Sequence, residues 1–137
     1  VWGEFLLREA LECQSARLYC GEKIRKALPR LRKLARAADK AADAGRQLSN
    51  EDFAFHQALV ELTDCDALIS CFKRVVNLSL FHQTAVISPM QPATYDRHLE
   101  LLDDLGSASD AGAAESRIRD HLRLGKETLL DNPDSAT

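Results

Sequence analysis

Nowhere in the 137 residues does an apolar stretch approach the roughly 20 residues that a helix needs to cross a bilayer, which excludes a membrane-spanning helix. A charged N-terminal region followed by a short apolar segment and a cleavage site is also missing, so the expected compartment is the cytoplasm. Basic charge is not in excess: 18 Lys and Arg stand against 21 Asp and Glu, and the net charge is -3. Such a chain lacks the general attraction to a phosphate backbone that binding DNA by itself would require. Close cysteine pairs are absent, since Cys13, Cys20, Cys65 and Cys71 are separated by six residues or more. That spacing excludes a zinc ribbon or a CxxC redox motif, and the four are read as buried small apolar groups. Methionine occurs once, at Met90, so Val1 is not an initiator and a segment upstream is expected. No segment shows the sustained alternation of a β-strand, and neither an internal repeat nor a low-complexity tract is found.

What the chain has is an ordinary globular balance, 45% hydrophobic and 28% charged, in a length suited to a single domain over residues 1–137. Apolar residues recur at helical spacing almost throughout, which predicts an all-α protein, an antiparallel bundle of about six helices. The first helix is expected from Trp2 to Tyr19, with Leu7, Leu11 and Leu18 on one face and Gly21 ending it. The second runs from near Lys26 to Ala44, with Pro29 in its first turn and Gly45 just past its end. Its basic run, from Lys23 to Lys40, reads as a solvated face around packing residues Leu31, Leu34 and Ala38. Ser49 or Asn50 caps a third helix to about Leu62; a fourth covers roughly Ala67 to Ile87, ended by Pro89 and Pro92. A fifth is expected from about Thr94 to Leu105 and a sixth from about Ala113 to Leu130, with a frayed tail from Asp131.

The residues that carry chemistry are Asp52-Phe-Ala-Phe-His56 on the third helix, His98 on the fifth and His121 on the sixth. Asp52 and His56 are one helical turn apart and project from one face, as adjacent ligands of one metal would. His98 and His121 each sit beside an apolar stripe and are read as pointing inward. Three imidazoles and one carboxylate suit a divalent transition metal, zinc first, with nickel or manganese as alternatives, and leave coordination positions open. Two other roles stand beside this one. Asp52 lies three residues after Ser49, where an acid completes a helix cap, and a histidine beside an apolar stripe is often a hydrogen-bonded core residue.

Four stretches resemble one family. Leu7-Arg8-Glu9-Ala10-Leu11-Glu12 with Ala16-Arg17-Leu18, Asp52-Phe-Ala-Phe-His56-Gln-Ala-Leu59, His98 with Leu101-Leu102, and Arg119-Asp-His121-Leu122 together resemble the FCD domain. That domain is the C-terminal ligand-sensing part of the largest branch of GntR-type bacterial transcription regulators. The resemblance covers nearly the whole chain and implies a metal held by Asp52, His56, His98 and His121 inside a helical bundle. It also implies a homodimer, a small organic-acid effector, and DNA bound only by an N-terminal winged helix-turn-helix that this chain does not include. One departure is visible: the family usually has an acidic residue immediately before the third ligand, where this chain has Arg97, with Asp96 one step earlier.

For the effector, Arg8 is the candidate contact to a carboxylate, because the family's first helix often carries an arginine there; the alternative is an Arg8–Glu12 pair on the helix surface. On the fourth helix, Ser79 and His82 continue the stripe Leu68, Phe72, Val75 and are candidates to line the cavity, His82 alternatively being a surface residue. The expected function is therefore a sensor without catalytic residues. The competing readings are a metal-dependent hydrolase or lyase using the same three histidines and aspartate, and a purely structural bundle.

Overall fold

The computed structural model describes residues 2–46, 48–83 and 96–130, with the side chains at 2, 79–83 and 126–130 left out. The described residues form six helices and no strand: α1 (Trp2–Tyr19), α2 (Glu22–Asp43), α3 (Asn50–Glu61), α4 (Asp66–Gln83), α5 (His98–Gly106) and α6 (Ala111–Leu130). The all-α bundle read from periodicity is what folds. α1 packs chiefly on α6 and α4, α2 on α3 and α5, and α3 lies between α1 and α2, so side chains from most of the bundle converge beside α3.

Two apolar clusters hold these helices. The larger joins Ala16, Tyr19, Leu31, Phe55, Leu59, Leu101, Leu105 and Ile118, and the smaller joins Leu11, Phe53, Val60, Phe72 and Val75. α2 is legible residue by residue: Ile24, Ala27, Leu31, Ala35, Ala38 and Ala42 recur every three or four positions and are buried. Small alanines in that row let α3 and α5 approach closely. On the other face Lys23, Arg25, Lys26, Arg30, Lys33, Arg36 and Lys40 are exposed, as the solvated-face reading requires. The end of α2 is a Schellman motif, with Arg46 N–H donating to Ala41 C=O and Gly45 N–H to Ala42 C=O, both at 2.9 Å, and Gly45 at φ 83°.

Several expectations need correction. α2 begins a turn earlier, at Glu22 after Gly21, so Pro29 stands inside the helix and not in its first turn. Burial of Ile24 and Ala27 holds that extra turn in place even though Pro29 contributes no N–H. On α1, Leu7 and Leu18 are about half exposed (49% and 46%), and the buried row is Arg8, Leu11, Glu12, Ser15, Ala16 and Tyr19. The inward face of α1 is therefore partly polar, because it serves the centre described below. Of the cysteines only Cys13 is buried; Cys20 and Cys65 are partly covered, Cys71 is exposed, and all four are free thiols. α5 starts at His98, with Arg97 extended before it, Asp96 outside any helix and Thr94 outside the described residues. The expected end of α4 at Ile87, the stops at Pro89 and Pro92 and the tail from Asp131 also lie outside the described residues.

Candidate metal centre

Ser49 starts α3: its hydroxyl oxygen accepts from the Asp52 N–H at 3.1 Å and satisfies one of the unpaired donors of the first turn. Asp52 thus receives the cap through its backbone, and its carboxylate turns to the histidines instead. Oδ1 lies 3.2 Å from Nε2 of His56, one turn along the helix, and 2.9 Å from Nε2 of His98 at the start of α5. His121, from α6, brings its Nε2 to 3.2 Å from Nε2 of His56. The three rings pack with centroids 5.0 to 5.5 Å apart, and Phe55 stands edge-on against His56 and His98 as an apolar wall. His56 and His98 are buried, Asp52 is 9% exposed and His121 is partly covered. All four residues singled out by sequence are brought together.

Behind each imidazole stands a carboxylate. Glu12 of α1 faces Nδ1 of His56, Asp39 of α2 faces Nδ1 of His98 at 3.1 Å, and Asp96 faces Nδ1 of His121 at 2.8 Å. With Nδ1–H donating outward, a neutral ring turns its Nε2 lone pair inward, and the close approach of the His56 and His121 Nε2 atoms then needs a cation or a shared proton between them, whereas a charged His98 directs its second proton at Asp52. The donor spacing fits a metal. Bonds of about 2.1 Å give neighbouring donors about 3.0 Å apart in an octahedron and about 3.4 Å apart in a tetrahedron. The three shortest spacings given above, 2.9 to 3.2 Å, lie close to those values. A single ligand atom from each of the three histidines lies within 4.8 Å of the others.

The electrostatics agree with that chemistry. Burial works to raise the Asp52 carboxyl, but hydrogen bonds from His56 and His98 and their charges prevail and hold it well below the ordinary range. Burial likewise opposes the charge of Glu12, yet His56 and Arg8 together pull it down to about 2. His98 resists burial because Asp39 and Asp52 flank it, and its imidazole is lifted to about 9. His121 goes the other way, to about 4: burial lowers it, the bond to Asp96 only partly offsets that, and the neighbouring His56 and His98 lower it further. The cluster is rich in negative charge and cannot protonate all its imidazoles, the condition in which a divalent cation takes the place of protons.

The remaining candidates are placed differently. Arg8 is buried, with Nε donating to Glu12 at 2.6 Å and its guanidinium carbon 5.1 Å from the centre of the Phe53 ring. The Arg8–Glu12 pair anticipated on the helix surface therefore exists, but inside the bundle. Ser79 and His82 belong to α4, and their side chains lie outside the described residues. Glu12, Asp39 and Asp96 were not singled out as site residues. Glu12 and Asp39 left one trace, an acid set into or beside an otherwise apolar helical row. The displaced acid before His98 also finds its role: Asp96 serves His121, while Arg97 forms a two-pronged pair with Asp43 at 2.9 and 3.2 Å on the surface.

The family described as FCD domain matches residues 5–124. This chain belongs to the FCD domain family. FCD domains are effector-binding regulatory domains of GntR-type transcription regulators, and some of them bind divalent metals. His56, His98 and His121 of this FCD domain form a triad whose ring nitrogens lie close enough together that they could hold a metal ion. No curated protein and no solved structure matches the chain closely enough for comparison.

Proposed function

We propose that this FCD domain senses a small organic acid at a divalent metal held by Asp52, His56, His98 and His121, and that effector binding adjusts the DNA affinity of a regulator through a winged helix-turn-helix domain outside this chain. The observation that carries the reading is the convergence of three Nε2 atoms and one carboxylate oxygen with each Nδ1 backed by an acid. A bound divalent ion would supply a Lewis-acidic position open to an effector carboxylate. Zinc is the first choice because imidazole and carboxylate donors suit it, with nickel or manganese as alternatives. Arg8 would share its guanidinium between Glu12 and the effector, and Ser79 and His82 would line the approach from α4. The domain would act as a homodimer, so that a shift in helix packing changes the spacing of two DNA-binding units.

Metal analysis of purified protein tests the reading directly. About one divalent ion per chain is expected, with affinity reduced at least a hundredfold in His56→Ala, His98→Ala and His121→Ala. Unchanged binding of added zinc in all three variants would sink the site. A thermal-shift screen of hydroxy acids, sugar acids and short dicarboxylates then tests the sensing role: a true effector raises the melting temperature of metal-loaded protein more than that of stripped protein.

A further inference from the structure

The metal donors are only the inner part of a pattern that repeats three times with different parts. In each repeat an imidazole Nδ1 meets a carboxylate, and that carboxylate is itself held by a positive group. Glu12 faces His56 through Oε1 and accepts from Arg8 Nε through Oε2 at 2.6 Å. Asp96 faces His121 through Oδ2 and receives two bonds from Arg117, at 2.9 and 3.1 Å. Asp39 faces His98 and is held by the start of the helix that carries that histidine. Its two oxygens accept the backbone N–H groups of His98 at 2.7 Å and Leu99 at 3.1 Å, so the positive end of α5 takes the place of the arginine. The three acids come from α1, α2 and the non-helical residues just before α5, so no local sequence motif produces the repetition.

We infer that Glu12, Asp39 and Asp96 are positioning residues that hold all three histidines with the proton on Nδ1 and Nε2 turned to the metal, each acid being anchored by Arg8, the α5 N-terminus or Arg117. The inference rests on the metal reading above and extends it to residues that do not touch the ion. An imidazole free to rotate presents either nitrogen, and ordering it on binding costs affinity; a fixed acceptor behind it removes that freedom before the ion arrives. The anchoring positive group orients the carboxylate in turn and disfavours transfer of the Nδ1 proton to it. Asp39 has a second consequence: it joins the orientation of His98 to the capping of the helix that carries it.

The test uses zinc and the whole chain. Zinc affinity is measured by chelator competition for the wild type and for Glu12→Gln, Asp39→Asn and Asp96→Asn, with the melting temperature of each stripped protein recorded alongside. Each variant is expected to bind zinc about 10- to 100-fold more weakly. Values within threefold of wild type for the variants that fold overturn the inference. If Asp39→Asn fails to fold because α5 loses its cap, Asp96→Asn, on a non-helical segment, carries the test. Tautomers give a readout that a merely structural role does not predict. In zinc-loaded protein, long-range proton–nitrogen correlations should show a protonated Nδ1 on His56, His98 and His121, and a metal-bound Nδ1 on any of them overturns the assignment. A wild type that binds no zinc removes the metal reading itself, an outcome distinct from variants that match a zinc-binding wild type.

Discussion

At the scale of single residues, His98 has the widest consequences. Its imidazole is lifted from about 6.5 to about 9 by Asp39 and Asp52, which prevail over burial, so at neutral pH in the metal-free chain it carries a proton. Because the folded-state value lies above the unfolded one, the stabilisation from this group is fully present below about 6.5 and is lost as pH rises through about 9. Metal affinity runs in the opposite direction, since a coordinating Nε2 must give up that proton. Zinc binding is therefore expected to strengthen from pH 6.5 to 9 and to release close to one proton from His98 per ion at pH 7. Calorimetry in buffers of different ionisation heat measures that release, and a value near zero would contradict the arrangement. His121, held down at about 4, is already neutral there and adds nothing to the count.

At the scale of elements, the helices differ in how much they owe to local signals. α3 is set up locally, by the Ser49 hydroxyl accepting from the Asp52 N–H. Ser49→Ala should cost about 1 kcal/mol in chemical denaturation and weaken metal binding by loosening the turn that carries Asp52. α5 is different: no side chain of its own capping residue closes its N-terminus, and Asp39 from α2 does so across the bundle. α2 tolerates a proline in its interior because the buried row on either side of it, Ile24 and Ala27 before and Leu31 and Ala35 after, holds the helix in place. Pro29 is exposed, so Pro29→Ala removes no packing and allows a backbone bond to Arg25. A gain on the order of 1 kcal/mol is expected, the helix benefit being partly offset by greater freedom of the unfolded chain. Urea denaturation checks it, and a loss of stability would show that the proline shapes the helix in a way the packing needs.

At the scale of the whole molecule, four carboxylates, from Glu12, Asp39, Asp52 and Asp96, are gathered around one point, and Arg8 and Arg117 pair with two of them. A divalent ion offsets negative charge that remains there when all three histidines are neutral. Binding should consequently stabilise the entire bundle, since α3, α5 and α6 supply donors and α1 and α2 supply acids behind them. Zinc at a hundredfold excess over its Kd is expected to add about 2.7 kcal/mol to the unfolding free energy, seen as a rise in melting temperature that a chelator reverses. An unchanged melting temperature in the presence of bound zinc would mean that the unfolded chain binds the ion as well as the folded one does, contrary to a site assembled by the bundle.

The helical bundle and its site were legible in the sequence to different depths. Periodic apolar residues determine that the chain is all-helical, because only a helix brings positions three and four apart to one face, and the same spacing makes Asp52 and His56 neighbours on α3. His98 and His121 were added by resemblance to the FCD family, since nothing local says that two distant helices bring them to the same point. The tertiary structure alone decided what stands behind the ligands. Glu12 and Asp39 interrupt apolar rows, and Asp96 lies outside any helix, so each seen in sequence is one more surface acid; only packing turns them toward an imidazole. The same is true of Arg8, whose pairing with Glu12 follows from a four-residue spacing, while its burial follows from the helices that close over it. Local periodicity reports which way a side chain faces, and the partner it meets there depends on contacts between residues distant in sequence.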